Sequence, residues 1–260
     1  MSCEKTMRQT MQQTVKRTMQ QTVRLSLITP YRDRLPHLET QLAWWQQFSC
    51  KDAVEWIVVD LTAEPSAALA RRLRERSAQY LSMPCDGPFH KTRALNLGLA
   101  HACGKLIAAF DVDLIPLHTT LMNHCELSEL SPSLLVTGYR LMAQAETVAI
   151  EELEAVAEAA TLGPEDQPSA LRKYLLKGER FGVMPLFWRD RLQAIQGWDE
   201  AYVGWGAEDQ DLIERYLADG RSLCRCPDLT YLHLNHSATE GWNCADLTEK
   251  NRAYYYQRRR

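Results

Sequence analysis

The chain of 260 residues lacks several features that would place it in a bilayer, on a nucleic acid or on a secretion route. It has no run of roughly 18 apolar residues, the length that a membrane-spanning helix requires. The N-terminus also lacks the apolar segment of a signal peptide. The net charge is −3, and no stripe of Lys and Arg interleaved with aromatic residues is present, so a nucleic-acid partner is not expected.

Zinc-ribbon spacing is absent as well. The eight cysteines are scattered, and only Cys224 and Cys226 lie close together. This pattern favours free thiols in a reducing cytoplasm. The hydrophobic fraction of 45% and charged fraction of 24% are those of an ordinary globular protein.

Residues 1–24 differ from the rest of the chain. Thr10–Lys16 recurs almost unchanged as Thr18–Arg24, which makes a polar and basic tandem repeat. We expect a disordered extension here, with a frayed amphipathic helix or a targeting segment as the alternatives. Residues 25–260 show no linker-like stretch and are expected to form one domain.

Apolar patterns alternate between strand and helix spacing from Leu25 onward. The alternation predicts an α/β fold with a mainly parallel, Rossmann-like sheet flanked by helices. Ligands of such sheets bind beyond the carboxyl ends of the strands, where Asp60 and Asp111 lie. Predicted strands are 25–29, 54–60, 80–83, 105–110, 134–140, 181–188 and 230–234. Predicted helices are 33–48, 66–77, 91–102, 146–161 and 208–218.

A candidate metal site follows the fourth predicted strand. Asp111-Val112-Asp113 sets two carboxylates around one apolar residue, so both can approach one cation. A divalent ion with few protein ligands keeps positions for phosphate oxygens and can neutralise a leaving diphosphate. His233 and His236, near the end of another strand, would add imidazole nitrogens. Such a mixed set suits manganese better than magnesium.

The segment Gly204–Asp211 carries further chemistry. Two glycines bracket Trp205, and carboxylates at Glu208 and Asp209 follow where a helix is predicted to begin. Burying such charges without a cation or a polar substrate is costly. The alternative is a solvated helix N-terminus whose acidic residues complement the helix dipole. Combined with the aspartates and histidines, the segment favours a metal-dependent enzyme acting on a nucleotide-activated sugar.

The order of these motifs resembles the β-1,4-galactosyltransferase family, whose members are inverting transferases of the GT-A fold. The resemblance runs from Leu25 to about Ser237. Its segments are Thr29–Arg34, Phe89–Gly98, Asp111–Pro116, Phe181–Gly182, Gly197–Trp198 and Trp205–Asp209. It implies a catalytic base at Asp209, with Glu208 hydrogen-bonding the acceptor. A helix-capping role is the alternative for Asp209.

The resemblance and the strand-end positions together imply the binding residues. The metal ligands would be Asp113, His233 and His236. Trp205 would belong to a lid that closes over the donor. Solvated surface charge is the alternative for the basic residues among the nucleotide contacts. Those contacts would be Pro30, Tyr31, Arg32, Arg34, Asp60, Phe89, Lys91, Asp111, Val112, Trp205 and Gly206.

Some positions depart from the family pattern. Val183 replaces a second glycine, Arg180 stands where an aromatic or aliphatic residue is common, and Ala207 and Gln210 interrupt the acidic motif. The transferred hexose is therefore left open among galactose, N-acetylgalactosamine and glucose types. The membrane anchor and stem of animal members are not seen, which favours a soluble, cytoplasmic, bacterial enzyme.

The expected activity is Mn²⁺-dependent, inverting transfer of a hexose from a UDP-sugar to a hydroxyl acceptor, in the first instance a glycan. Peptide and small-molecule acceptors remain alternatives, as does a non-catalytic module that binds glycans or nucleotide sugars. A retaining transferase or a nucleotidyltransferase is a further alternative. The nucleotidyltransferase is disfavoured because no glycine-rich loop follows the first strand. The oligomeric state is left open.

Overall fold

The computed structural model describes residues 23–236 and 245–259. Most of the predicted N-terminal extension, residues 1–22, lies outside the described residues. The strands are β1 Leu25–Tyr31, β2 Val54–Asp60, β3 Gln79–Ser82, β4 Leu106–Ala109, β5 Leu114–Pro116, β6 Leu134–Met142, β7 Thr161–Leu162, β8 Phe187–Trp188 and β9 Ser222–His233. The helices are α1 Leu35–Gln47, α2 Ala67–Glu75, α3 Lys91–His101, α4 Thr120–Leu130, α5 Leu153–Ala159, α6 Pro168–Leu176, α7 Arg189–Ala194, α8 Glu208–Leu217 and α9 Ala245–Arg258.

The first sheet has the strand order β3-β2-β1-β4-β8. Strand β1 pairs in parallel with β2 and β4, and β2 pairs in parallel with β3. Helices α1, α2 and α3 make the crossovers between these strands, and β1 is buried along its whole length. Burial on both faces is what parallel sheets require. The predicted alternation of strands and helices is confirmed for this half of the chain.

Side chains of the first sheet divide the core into two parts. Leu27 and Trp56 belong to one cluster of buried residues, whereas Ile28 and Ile57 belong to the other. This division follows from the strand geometry, because successive side chains point to opposite faces. The first cluster contains an edge-on aromatic pair, Trp45 and Trp56, with ring centroids 5.6 Å apart. Aromatic pairs in this arrangement contribute stability beyond the area they bury.

The second sheet has the order β5-β9-β6-β7 and mixed strand directions. Strand β9 runs parallel to β6 and antiparallel to β5. Strands β5 and β7 span three and two residues, too few to leave a periodic pattern in the sequence. The antiparallel pairing sets Leu114 opposite His233, which brings Asp113 beside the histidine. This sheet therefore positions part of the candidate site.

Two predicted elements are shorter than expected. A helix was predicted over 146–161, but the structure has a 3₁₀ turn at Ile150–Glu152 followed by α5. The backbone of Ala149 is extended, so no helix begins before Ile150. In place of a strand over 181–188, only Phe187–Trp188 pairs in the first sheet. Met184 has a left-handed backbone with φ of 50°, which no regular strand accommodates. Helices α4, α6, α7 and α9 were not predicted.

Gly138 is a sensitive position in the pairing of β6 with β9. A Cβ atom there would overlap the carbonyl oxygen of Leu229 and come within 2.8 Å of the Tyr231 ring. We expect Gly138→Ala to lower the free energy of unfolding by about 1–3 kcal/mol, measured by urea denaturation, because overpacking forces the strands to shift. Gly87→Ala is the matched control, since nothing lies within 4 Å of its Cβ position. Equal stability of the two variants would contradict the tight β6–β9 approach.

Candidate active site

A cavity of about 260 Å³ opens where β1 and β4 end. Its walls bring together most of the residues that the sequence singled out. The predicted residues on these walls are Pro30, Arg34, Phe89, Lys91, Asp111, Val112, Asp113, Trp205, His233 and His236. A smaller cavity of about 70 Å³ adjoins it and shares Lys91, Asp111 and His233.

Asp113, His233 and His236 form a cluster that could hold a metal ion. One ligand atom from each residue lies within 4.8 Å of the other two. His233 Nε2 is 3.6 Å from Asp113 Oδ1, and His236 Nε2 is 3.4 Å from Asp113 Oδ2. The predicted metal ligands are thus adjacent in space, although 120 residues of sequence separate Asp113 from His233.

The donor set fits a divalent cation. Asp113 is 4% exposed, and its Oδ1 atom is buried without a hydrogen-bond donor among the described residues. Arg34 donates from Nη1 to Asp113 Oδ2 at 2.6 Å, and its Nη2 lies 3.3 Å from His236 Nδ1. Arg34 therefore fixes the carboxylate and leaves Oδ1 directed toward His233. One oxygen with two imidazole nitrogens favours manganese over magnesium.

Lys91 is a buried cation at the junction of the two cavities. Its Nζ lies 3.2 Å from Asp111 Oδ1, 3.5 Å from Glu208 Oε1 and 3.4 Å from Asp209 Oδ2. Burial alone would lower the pKa of Lys91, but the three carboxylates outweigh it and raise this pKa well above its ordinary value. Lys91 thus remains charged and is not the solvated surface residue of the alternative hypothesis.

Glu208 and Asp209 begin helix α8 in two different environments. The Glu208 carboxylate is buried and accepts a hydrogen bond from the Gly206 backbone N–H at 2.8 Å. Burial raises the pKa of Glu208 to about 7, with Asp209 adding to this effect and Lys91 opposing it. The side chain of Asp209 is 50% exposed and lines the smaller cavity. The N-cap of α8 is Ala207 and no side chain caps it, so a capping role for Asp209 is not supported.

Some predicted residues lie behind the walls. Asp60 is fully buried; its Oδ1 accepts hydrogen bonds from Thr62, and its Oδ2 accepts one from Tyr80 at 2.8 Å. The structure therefore does not bring Asp60 to the cavity, although the end of β2 lies near it. Arg32 donates to the Gly87 carbonyl at 2.8 Å. Others that do not line the two cavities are Tyr31, Gly206 and Glu208.

Arg140 was missed by the sequence analysis. It lies on β6, lines both cavities and donates from Nη2 to Glu165 at 2.8 Å. A single arginine within a strand gives no signal in the sequence. Only the second sheet, whose assembly was not predicted, brings Arg140 to the site.

The Trp205 loop closes one side of the larger cavity. Gly204 and Gly206 have φ angles of 77° and 119°, in the region that favours glycine, and the Trp205 side chain is 50% exposed. Asn251 of α9 supports this loop from behind. Its Nδ2 donates to the carbonyl oxygens of Val203 at 2.9 Å and Trp205 at 3.1 Å, and Asn251 is buried.

Comparison with known proteins supports the resemblance to galactosyltransferases that the motifs predicted. A family model described as the N-terminal domain of galactosyltransferase matches residues 169–237, which include Asp209 and the two histidines. The predicted resemblance is thus confirmed as a galactosyltransferase-like one over this segment. Among curated proteins, no significant sequence match is found.

Three solved structures resemble the chain. GalNAc-T7, solved with UDP, GalNAc and Mn²⁺, matches with a TM-score of 0.64 and 12% identity over 91% of this chain and 48% of its own. TarS of S. aureus matches with a TM-score of 0.59 and 14% identity, over 82% and 37%. The mannosyltransferase PcManGT from Pyrobaculum calidifontis, in complex with GDP-Man and Mn²⁺, matches with a TM-score of 0.53 and 18% identity, over 84% and 58%.

These likenesses confirm the predicted GT-A fold. The chain spans between 37% and 58% of the length of these three structures. The chain therefore has the GT-A fold, and residues 169–237 are galactosyltransferase-like. Within the described ranges, no helix has both the length and the apolar character needed to cross a membrane.

The support that Asn251 gives to the Trp205 loop can be tested directly. Asn251→Asp replaces two N–H donors with a carboxylate that faces two carbonyl oxygens, so the loop should move away. In fluorine NMR of the fluorotryptophan-labelled protein, we expect the Trp205 resonance, assigned with Trp205→Phe, to shift or broaden while the others stay in place.

Tyr255→Phe is the matched control for this experiment. It removes the hydrogen bond from Tyr255 to Glu214, which joins α9 to α8 without touching the loop carbonyls. The Trp205 resonance should be unchanged in this control. An equal response of both variants would show that general packing of α9, not Asn251, holds the loop.

Proposed function

We propose that the chain is a manganese-dependent, inverting glycosyltransferase that moves a hexose from a UDP-sugar to a hydroxyl acceptor, in the first instance a saccharide. The observation that carries this proposal is the convergence of two groups on adjoining cavities. One is the cluster of Asp113, His233 and His236. The other is Asp209 beside the buried Lys91 cation. The hexose is of the galactose, N-acetylgalactosamine or glucose type.

The solved relatives support the donor class. GalNAc-T7 was solved with UDP and Mn²⁺, and the mannosyltransferase was solved with GDP-Man and Mn²⁺. In this chain Asp113, His233 and His236 would hold the metal, which when bound supplies positive charge to the diphosphate of the donor. Arg34 keeps the Asp113 carboxylate in place through its 2.6 Å hydrogen bond.

Lys91 and Arg140 would bind the donor where the two cavities meet. Both line the shared wall, and the Lys91 ammonium stays charged throughout turnover because three carboxylates stabilise it. A fixed cation beside the sugar–phosphate bond stabilises negative charge as that bond breaks, with no reorganisation at that moment. Trp205, which also lines the larger cavity, would cover the sugar.

Asp209 would act as the base. Its exposed carboxylate takes the proton of the acceptor hydroxyl, while the hydroxyl oxygen attacks the anomeric carbon and the bond to UDP breaks. Glu208 does not line the cavities; held by the Gly206 N–H, it would keep Lys91 in place rather than contact the acceptor as the resemblance implied. Glu208 is less suited to be the base because its carboxylate is buried, whereas that of Asp209 faces the cavity.

The metal requirement can be tested through UDP binding alone. We expect calorimetric binding of UDP to need Mn²⁺, and His236→Ala to weaken it on the order of tenfold or more, because a direct ligand matters at least as much as an outer-sphere partner. His101→Ala is the control, since His101 is an exposed histidine of α3. Unchanged UDP binding in excess EDTA would contradict the proposed metal site.

Substitution of Asp209 distinguishes a catalytic role from a structural one, because the first affects turnover and the second affects the melting temperature. We expect Asp209→Asn to lower UDP release from the active UDP-sugar by about a hundred- to ten-thousand-fold, while UDP affinity and melting temperature stay close to wild type. A screen of UDP-sugars and saccharide acceptors identifies the substrate pair for this assay. Asp190→Asn, at a side chain that is 93% exposed, should leave all three quantities unchanged. Near-normal turnover of Asp209→Asn would move the base elsewhere.

A further inference from the structure

Helix α6 presents two adjacent leucines to solvent. None of its residues is buried, and Leu175 and Leu176 are 74% and 79% exposed. The half-buried residues Leu171 and Tyr174 face the protein, and Leu175, one turn after Leu171, stands at the edge of the exposed side. Single exposed leucines are ordinary on protein surfaces, but neighbouring ones on one helix side suggest an interaction site.

Basic residues surround these leucines. Arg172 lies three positions before Leu175 and four before Leu176, Lys173 lies three before Leu176, and Lys177 follows directly, so basic residues flank the leucines. Residues 167–178 contain no acidic residue, and Arg180 is exposed just beyond them. The next acidic residue, Glu179, is buried and accepts a hydrogen bond from Tyr256. We call the exposed set the α6 surface: Arg172, Lys173, Leu175, Leu176, Lys177 and Arg180.

A cavity of about 390 Å³ opens beside this surface. Leu175 and Leu171 of α6 form one wall, and Phe181 and Leu223 form another. Arg225 also lines it, with its guanidinium 4.7 Å from the centroid of the Phe181 ring and paired with the buried Asp166. The cavity therefore has apolar walls, while the charge of Arg225 is balanced by Asp166, and the ionisable residues Glu179 and Arg180 also line it.

We propose that the α6 surface docks on a membrane containing anionic lipids. Interfacial helices insert leucines at the acyl boundary while Lys and Arg contact lipid phosphates, and this helix carries both groups on one side. A second copy of the chain is a poor occupant, because a symmetric contact would bring the same basic residues together. A nucleic acid would leave Leu175 and Leu176 without an apolar partner.

The position of the α6 surface has a consequence for the acceptor. Phe181 lines the cavity beside α6, and the next residue, Gly182, lines the smaller cavity together with Asp209. Docking would hold the base close to the bilayer, so the acceptor would be a hydroxyl compound at the membrane surface. This consequence rests on the proposed function, whereas the docking itself does not.

Sedimentation of the full chain with vesicles tests the docking. We expect binding to phosphatidylcholine vesicles that contain phosphatidylglycerol, weaker binding to phosphatidylcholine alone, and a decrease with added salt. The double variant Leu175→Ser/Leu176→Ser should bind the anionic vesicles on the order of tenfold less, because the apolar contribution is lost. Leu130→Ser is the matched control, since Leu130 is 75% exposed but lies on α4.

Three outcomes of the vesicle assay would overturn the docking proposal. They are no binding to anionic vesicles at low salt, equal binding by the double variant and the wild type, and equal losses in the double variant and Leu130→Ser. A wild-type dimer in light scattering that the double variant makes monomeric, without vesicle binding, would also overturn it in favour of self-association. Mn²⁺-dependent UDP binding, measured on every variant, reports folding and tests the proposed function separately.

Discussion

The buried ammonium of Lys91 is the charge on which the arrangement of the site depends. It is the shared partner of Asp111, Glu208 and Asp209, which come from segments almost a hundred residues apart. Without a cation between them, these carboxylates would repel one another, and Glu208 would be buried as an unpaired charge. Lys91 thus joins the end of the first sheet to the start of α8, which makes the carboxylates of these two segments parts of one electrostatic unit.

Local patterns in the sequence were sufficient to predict several strands and helices around the site. Strand β2 lies over the predicted residues, α3 starts at Lys91, and α8 starts at Glu208 as the acidic run indicated. The Asp111–Asp113 motif and the pair His233 and His236 were recognisable because their spacing within a strand end is short. Apolar periodicity and short motifs are properties of neighbouring residues, and these can be recognised without knowing the tertiary structure.

Long-range pairing could not be predicted in this way. Strand β5 is too short to show a pattern, yet its pairing with β9 brings Asp113 to His233. Arg140 reaches the cavities through the same sheet. Asp60 is the opposite case, a residue that was predicted to line the site but does not. Its strand-end position was recognisable, whereas the hydrogen bonds of its side chain with Thr62 and Tyr80 were not.

The backbone of the Trp205 loop is more restricted at Ala207 than at Gly204 and Gly206. The φ of 65° at Ala207 is left-handed, which costs a residue with a Cβ about 1–2 kcal/mol, and Ala207 follows Gly206, which like Gly204 adopts positive φ angles freely. Because an alanine is strained at this angle, its neighbours and not its own preference hold Ala207 in this conformation. The flexible joint of the loop therefore ends at Gly206. Rotation about the two glycines would nevertheless act on Glu208, because the Gly206 N–H is its hydrogen-bond donor, so movement of Trp205 over the cavity is linked to the position of this carboxylate.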